Sequence, residues 1–88
     1  MTDVYKVRFR SRSVRKELDG LDDDTYLRIV AAIHHLRENP RPSSMKKLTG
    51  QEVYRIRLGD YRVLYTVDDK AKEVRIEAVR RRDERTYG

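Results

Sequence analysis

Arg55 and Arg57 flank a single isoleucine in the run Val53-Tyr54-Arg55-Ile56-Arg57-Leu58, and Tyr61-Arg62-Val63-Leu64-Tyr65 follows directly after Gly59-Asp60. A two-residue loop that begins with glycine favours a type II′ hairpin turn. That turn pairs Leu58 with Tyr61, Arg57 with Arg62, Ile56 with Val63, Arg55 with Leu64 and Tyr54 with Tyr65. Side chains alternate between the faces of a strand. Tyr54, Ile56, Leu58, Tyr61, Val63 and Tyr65 then form a core face, and Arg55, Arg57, Arg62 and Leu64 form the other. Like charges opposite each other on adjacent strands are unfavourable, so a ribbon that gathers guanidiniums on one face is suited to hold an anion. Arginine binds phosphate through a planar fork that reaches two oxygens. Several arginines on a rigid sheet also stabilise charge that develops on a phosphoryl group in a transition state. Lys46 and Lys47 extend the basic surface, as do Arg80, Arg81, Arg82 and Arg85 near the end of the chain. Tyr87 can stack on an unpaired base. An RNA backbone is the leading candidate for the anion. The plain alternative is a solvated basic face balanced by Glu73 or Glu77 on the next strand.

The elements that must position this hairpin are legible by periodicity. Val4-Tyr5-Lys6-Val7-Arg8-Phe9-Arg10 alternates apolar and basic residues, as a half-buried strand does. Ser11 or Ser13 can cap a short helix running to about Leu18, with Val14 and Leu18 facing the core. Gly20 suits the left-handed position after that helix. Asp22-Asp23-Asp24 opens a second helix, where carboxylates complement the dipole. Tyr26, Ile29, Val30, Ile33 and Leu36 follow its apolar stripe, with Arg28, His35 and Glu38 on the wet side. Asn39-Pro40 ends it, because the residue before proline avoids the helical region. Met45 to Gly50 leads into the hairpin. A last strand, Glu73-Val74-Arg75-Ile76-Glu77-Ala78-Val79, returns through the turn Asp68 to Lys72. The order is β-α-α-β-β-β, an α+β domain with a small, largely antiparallel sheet packed on a two-helix hairpin. The place of the first strand in the sheet is left open.

Composition bounds the reading. The 88 residues make one domain, 1–88, and 38% apolar against 41% charged content implies a thin core. Cysteine is absent, which excludes disulfides and thiolate metal sites. His34 and His35 are adjacent on the helix and point about 100° apart, a poor metal pair; surface or packing roles suit them. No metal and no cofactor is expected. No apolar run approaches the ~20 residues of a membrane span, and the N-terminal residues lack the apolar core of a signal peptide. A cytoplasmic location is the expectation. The net charge of +6 points to an acidic partner.

The chain resembles the RelE/ParE toxin superfamily of type II toxin–antitoxin systems, and the RelE-like messenger-RNA interferases in particular. The likeness is carried by Lys47-Leu48-Thr49-Gly50, by Val53 through Tyr65, by Asp68-Asp69, and by Val79-Arg80-Arg81-Arg82 with Tyr87. It spans nearly the whole chain. The resemblance implies a small sheet packed on a helical hairpin. It implies a metal-independent endoribonuclease that enters the ribosomal A site and cuts mRNA. There the ribose 2′-oxygen attacks the adjacent phosphorus, leaving a 2′,3′-cyclic phosphate and a 5′-hydroxyl. It also implies a cognate RelB-like antitoxin and a toxin–antitoxin hetero-oligomer. Residue by residue, Arg55 and Arg57 match the two basic strand positions and Arg62 the phosphate-binding arginine. Arg82 matches the late arginine proposed as general acid, and Tyr87 the tyrosine that stacks on the nucleotide.

Members suited to cleavage often carry lysine where this chain has Arg55 and Arg57. An arginine is always protonated in a protein, so Arg57 is a poor general base but a good phosphate ligand. Lys46 or Lys47 is then the candidate base. Two other readings stay open: a ParE-like protein that poisons DNA gyrase by contact, and a toxin-like module that only binds antitoxin or RNA.

Overall fold

The computed structural model describes residues 4–48, 50 and 52–81. Seven elements follow in order: β1 (Lys6–Phe9), α1 (Arg12–Asp19), α2 (Asp23–Glu38), β2 (Lys46–Lys47), β3 (Tyr54–Leu58), β4 (Tyr61–Asp68) and β5 (Glu73–Arg81). They build one sheet in the order β1-β5-β4-β3-β2. All pairings are antiparallel except β1 with β5, which is parallel. The place of β1, open in the sequence, is therefore at the far edge, against the last strand. The short β2, which the sequence presents only as a lead-in, covers Tyr54 and Arg55 alone on β3.

Local chemistry explains the helix boundaries. Ser11 caps α1 by accepting from the Val14 amide at 3.4 Å, so of the two serines it is the first that acts. Asp22 caps α2 by accepting from the Thr25 amide at 3.3 Å, and hydrogen bonding from Thr25, its side chain first and its amide second, holds the carboxyl below the usual range. Gly20 does not take the left-handed conformation the sequence suggests; its φ is −83° and ψ 0°. The reason is the very short link to α2. The Leu21 amide donates to the Leu18 carbonyl at 3.2 Å, so α1 ends in a tightened turn that feeds directly into the Asp22 cap.

Both helices cover one face of the sheet. The core consists of Tyr5 just ahead of β1, Val14 and Leu18 from α1, Ile29, Ile33 and Leu36 from α2, and Tyr54, Ile56, Val63, Tyr65, Val74, Ile76 and Val79 from the sheet. The opposite face has no layer over it among the described elements.

A polar network locks the end of the sheet remote from the Gly59-Asp60 turn. Arg41, just after α2, grips Asp69 with two nitrogens at 3.2 and 3.0 Å, and its Nε donates to the Tyr54 hydroxyl at 3.3 Å. The Tyr5 hydroxyl donates to Asp69 at 2.7 Å. The Arg41 and Tyr5 hydrogen bonds together hold the Asp69 carboxyl below its ordinary value. Tyr65 is fully buried, its hydroxyl donates to the Pro40 carbonyl at 2.8 Å, and burial pushes its pKa up to about 12.

Two outcomes are expected. Tyr65→Phe strands the Pro40 carbonyl and lowers stability in urea unfolding by about 1–2 kcal/mol; a loss near zero would mean that the carbonyl finds another donor. Asp69→Asn lowers Tm at neutral pH. Because the folded pKa of Asp69 is depressed, its contribution is complete above the usual 3.8 and is lost as pH falls through the lower folded value. The Tm gap between Asp69→Asn and the parent should therefore close in acid; a gap of constant size down to about pH 2 would contradict the assignment.

Candidate phosphate-binding face

The hairpin register follows the two-residue turn. Leu58 faces Tyr61, Arg57 faces Arg62, Ile56 faces Val63, Arg55 faces Leu64, and Tyr54 faces Tyr65. Gly59 has φ +61°, and among the described residues the only non-glycine with positive φ is Lys72, so Asp60 lies at negative φ. Positive φ at the first turn position alone is the II′ signature, and it fits the right-handed twist of the flanking strands. A two-residue loop makes Leu58–Tyr61 the hydrogen-bonded pair. Arg57–Arg62 is then the closer, non-hydrogen-bonded kind, with Cα atoms ~4.5 Å apart.

A β-bulge on β5 brings a further cation into line. Leu64 pairs with Ala78, but the next residue, Tyr65, pairs with Ile76, which leaves Glu77 as the extra residue. The bulge shifts the alternation of β5 by one. Val74 and Ile76 face the core, and beyond the bulge Val79 does so while Ala78 and Arg80 turn to the open face. Arg80 is thereby the Cα partner of Arg62, and a row Arg57–Arg62–Arg80 crosses β3, β4 and β5. Beside it runs a second row, Lys46–Arg55–Leu64–Ala78. The sequence counted Arg80 among the basic residues but did not align it with Arg62. The signal was present: Ala78-Val79 breaks the apolar alternation of Val74 and Ile76.

Charge is segregated on this face. Toward β1, Glu73 pairs with Arg8 at 3.4 Å, and Glu77 pairs with Arg75 and, at 3.9 Å, with Arg10. Glu77 also accepts from the Thr66 hydroxyl at 3.2 Å. These two glutamates, the candidate counter-ions for the hairpin arginines, are thus committed elsewhere. Among the described residues no carboxylate lies within ion-pair distance of Arg55, Arg57 or Arg80. Arg57 and Arg80 are exposed, and Arg55 and Arg62 are half-buried.

Not every basic residue named from the sequence joins the cluster. Lys46 does, opposite Arg55, whereas Lys47 is the partner of Tyr54 on the other face and pairs with Glu52 at 3.3 Å. Arg81 is exposed and stands opposite Tyr61, on the other side of the strand from Arg80. Arg82, Arg85 and Tyr87 lie outside the described residues. His34 and His35 are exposed on α2, and His35 lines a cavity together with Ile56, Arg57 and Leu58. Among the described residues no group of metal-ligating side chains comes together, and no helix is long and apolar enough to cross a membrane.

Comparison with known proteins gives a consistent picture. A family model described as the ParE toxin of type II toxin–antitoxin system, parDE, matches residues 8–86. Among solved structures, the archaeal RelE–RelB complex from Pyrococcus horikoshii OT3 contains a chain that is 32% identical, with TM-score 0.78, covering 92% of this chain and 98% of that one. The RelBE2 toxin–antitoxin complex from Mycobacterium tuberculosis gives 28% identity and TM-score 0.77, covering 91% and 94%. The isolated E. coli RelE toxin gives 25% identity and TM-score 0.80, covering 91% and 86%. No curated protein matches the chain.

Unbalanced like charge on adjacent strands has a measurable consequence. Replacing Arg57 by Gln should raise Tm by roughly 1–4 °C in low salt. The gain should shrink toward zero near 1 M salt, where the Debye length falls to about 3 Å. A Tm that drops on substitution would show that Arg57 is internally stabilised.

Proposed function

The chain belongs to the RelE/ParE toxin superfamily of type II toxin–antitoxin systems, and from that membership we propose that it is a ribosome-dependent endoribonuclease that cuts mRNA in the A site. The observation that supports this reading is the row of arginines at 57, 62 and 80, flanked by Arg55 and Lys46, without counter-carboxylates for Arg55, Arg57 and Arg80 among the described residues. Fixed cations on a rigid sheet need no reorganisation when negative charge builds on a phosphate.

In this reading Arg62, with Arg57 and Arg80 on either side, holds the scissile phosphate by paired hydrogen bonds. The ribose 2′-oxygen attacks the adjacent phosphorus and the bond from phosphorus to the 5′-oxygen breaks. The products are a 2′,3′-cyclic phosphate and a 5′-hydroxyl. Arg57 lowers the pKa of the attacking hydroxyl through its charge but, being permanently protonated, does not accept the proton. Lys46 is the amine placed among the arginines and is the assigned base. By family resemblance Arg82 faces the departing 5′-oxygen, which its fixed charge stabilises while water supplies the proton, and Tyr87 stacks on the nucleotide. Arg81, Arg85 and Lys47 contribute longer-range attraction to the RNA.

The partner is a RelB-like antitoxin, as the complexes formed by the similar RelE chains suggest. Acidic residues of the antitoxin over the arginine rows relieve their mutual repulsion, so the complex melts above the free toxin. The cytoplasm, where ribosomes and messages are, is the proposed location.

The test is cleavage of a defined message on purified ribosomes, mapped at the new 5′ ends. The expected result is cuts within the A-site codon, reduced about 100-fold or more by Arg62→Ala and strongly by Arg82→Ala. Intact message at saturating protein would overturn the nuclease reading. The family model's ParE description favours a second reading, a gyrase poison; inhibition of gyrase supercoiling together with intact message would establish it instead.

A further inference from the structure

The helix side of the hairpin tip carries a cation outside the arginine rows. Arg28, on the exposed side of α2, extends over the turn: a Cβ built on Gly59 would stand 3.3 Å from one Arg28 Nη atom. Glycine at position 59 is required by its φ of +61°, whereas the guanidinium, at the end of a flexible side chain, has only to shift by a few tenths of an ångström to admit a Cβ. Arg28 lines a cavity of about 170 Å³ with Thr25, Leu58, Gly59, Asp60 and Tyr61.

Arg28 has carboxylates within reach in sequence terms, Asp24 one helical turn earlier and Asp60 in the turn below it. Among the described residues it forms an ion pair with neither. Arg41 makes the contrast, since both its terminal nitrogens are spent on Asp69. The Arg28 fork keeps its donors for an external acceptor. Gly59 lies two residues along the chain from Arg57, with only Leu58 between them, a span of ~7 Å. A chain of phosphates lying across the arginine rows can thus reach Arg28 by passing around the tip.

We propose that Arg28 and the tip cavity form a second RNA subsite, in which the guanidinium binds a phosphodiester and Tyr61 and Leu58 supply the apolar wall for the attached base. The inference rests on the RNA reading above and extends the bound strand from the open face to the helix face. The phosphodiester can belong to the message or to ribosomal RNA, and the experiment separates the two.

Binding is measured by fluorescence anisotropy on single-stranded, 2′-O-methylated oligonucleotides of four and twelve residues, and by co-sedimentation with ribosomes that do or do not carry message. Arg28→Ala should weaken binding of the twelve-mer about tenfold and lower its salt slope by about one ion, while leaving the four-mer unchanged. Arg28→Lys should recover much of the loss. Arg12→Ala removes the same charge from an exposed position on α1 and serves as the control for net charge. A loss seen with the twelve-mer and with programmed ribosomes assigns the phosphodiester to the message, and a loss with empty ribosomes assigns it to ribosomal RNA. If the parent binds and Arg28→Ala matches it on the twelve-mer and on both kinds of ribosome, the subsite is overturned while the RNA reading stands. If the parent binds neither oligonucleotides nor ribosomes, the RNA reading falls and the subsite with it.

Discussion

Strand register across β3, β4 and β5 decides where Arg55, Arg57, Arg62 and Arg80 stand on the open face. Two local devices set it. The Gly59-Asp60 turn fixes β3 against β4 and places Arg57 beside Arg62. The bulge at Glu77 fixes the phase of β5 and places Arg80 on the other flank of Arg62. A strand slipped by one residue would send each of these arginines into the apolar side and Val63 and Val79 out of it. The buried valines thus enforce the arrangement of the arginines, because their alternation permits only one pairing. The open face needs no separate stabilisation of its own geometry.

The open face is not uniformly basic. Its half near β1 carries Arg8, Arg10 and Arg75 in pairs with Glu73 and Glu77, while its half near the turn carries Arg55, Arg57, Arg62 and Arg80. Glu77 is the pivot between the halves. As the bulged residue it alters the phase that brings Arg80 round, and its carboxylate is taken up by Thr66, Arg75 and Arg10. Among the described residues, Arg55, Arg57 and Arg80 are thereby left with no carboxylate in ion-pair distance, where the fold is held by backbone pairing and buried valines. This arrangement also explains why a protein of this kind is well matched to an acidic partner. Under the proposed nuclease reading, a phosphate chain and a carboxylate-bearing antitoxin segment would answer the same electrostatic demand and compete for the same cations.

Rigidity comes from the opposite end of the sheet. Arg41, Asp69, Tyr5, Tyr54 and Tyr65 tie the first strand, the segment after α2 and the β4–β5 turn together through hydrogen bonds of 2.7–3.3 Å. The two ends have divided roles. One satisfies its charges internally and holds the layers in place; at the other, among the described residues, Arg55, Arg57 and Arg80 have no carboxylate in ion-pair distance. Arginine appears in both, and burial and the nearest carboxylate, rather than residue type, separate Arg41 from the arginines of the open face.

Much of this was legible in the chain itself. The alternation of Tyr54 to Leu58 and Tyr61 to Tyr65 around a glycine-first turn fixed the hairpin, its register and the shared face of Arg55, Arg57 and Arg62, since turn length and a period of two leave one solution. The apolar spacing of Tyr26 to Leu36 fixed α2 and its core side. These are local patterns, set by backbone sterics and burial over a few residues. Contacts distant in sequence needed the tertiary structure. The parallel seat of β1 beside β5 depends on how the helices cross the sheet. The alignment of Arg80 depends on a one-residue bulge, whose trace in Ala78-Val79 is visible but ambiguous without a partner strand. Whether Glu73 and Glu77 neutralise the hairpin was open until Arg8, Arg10 and Arg75 were seen to hold them. The position of Arg28 over Gly59 left no mark in the sequence, because an arginine on the wet side of a helix looks alike whatever surface the helix lies beside. Charge pairing and close approach between separate elements are set by three-dimensional packing, and only the folded chain decides them.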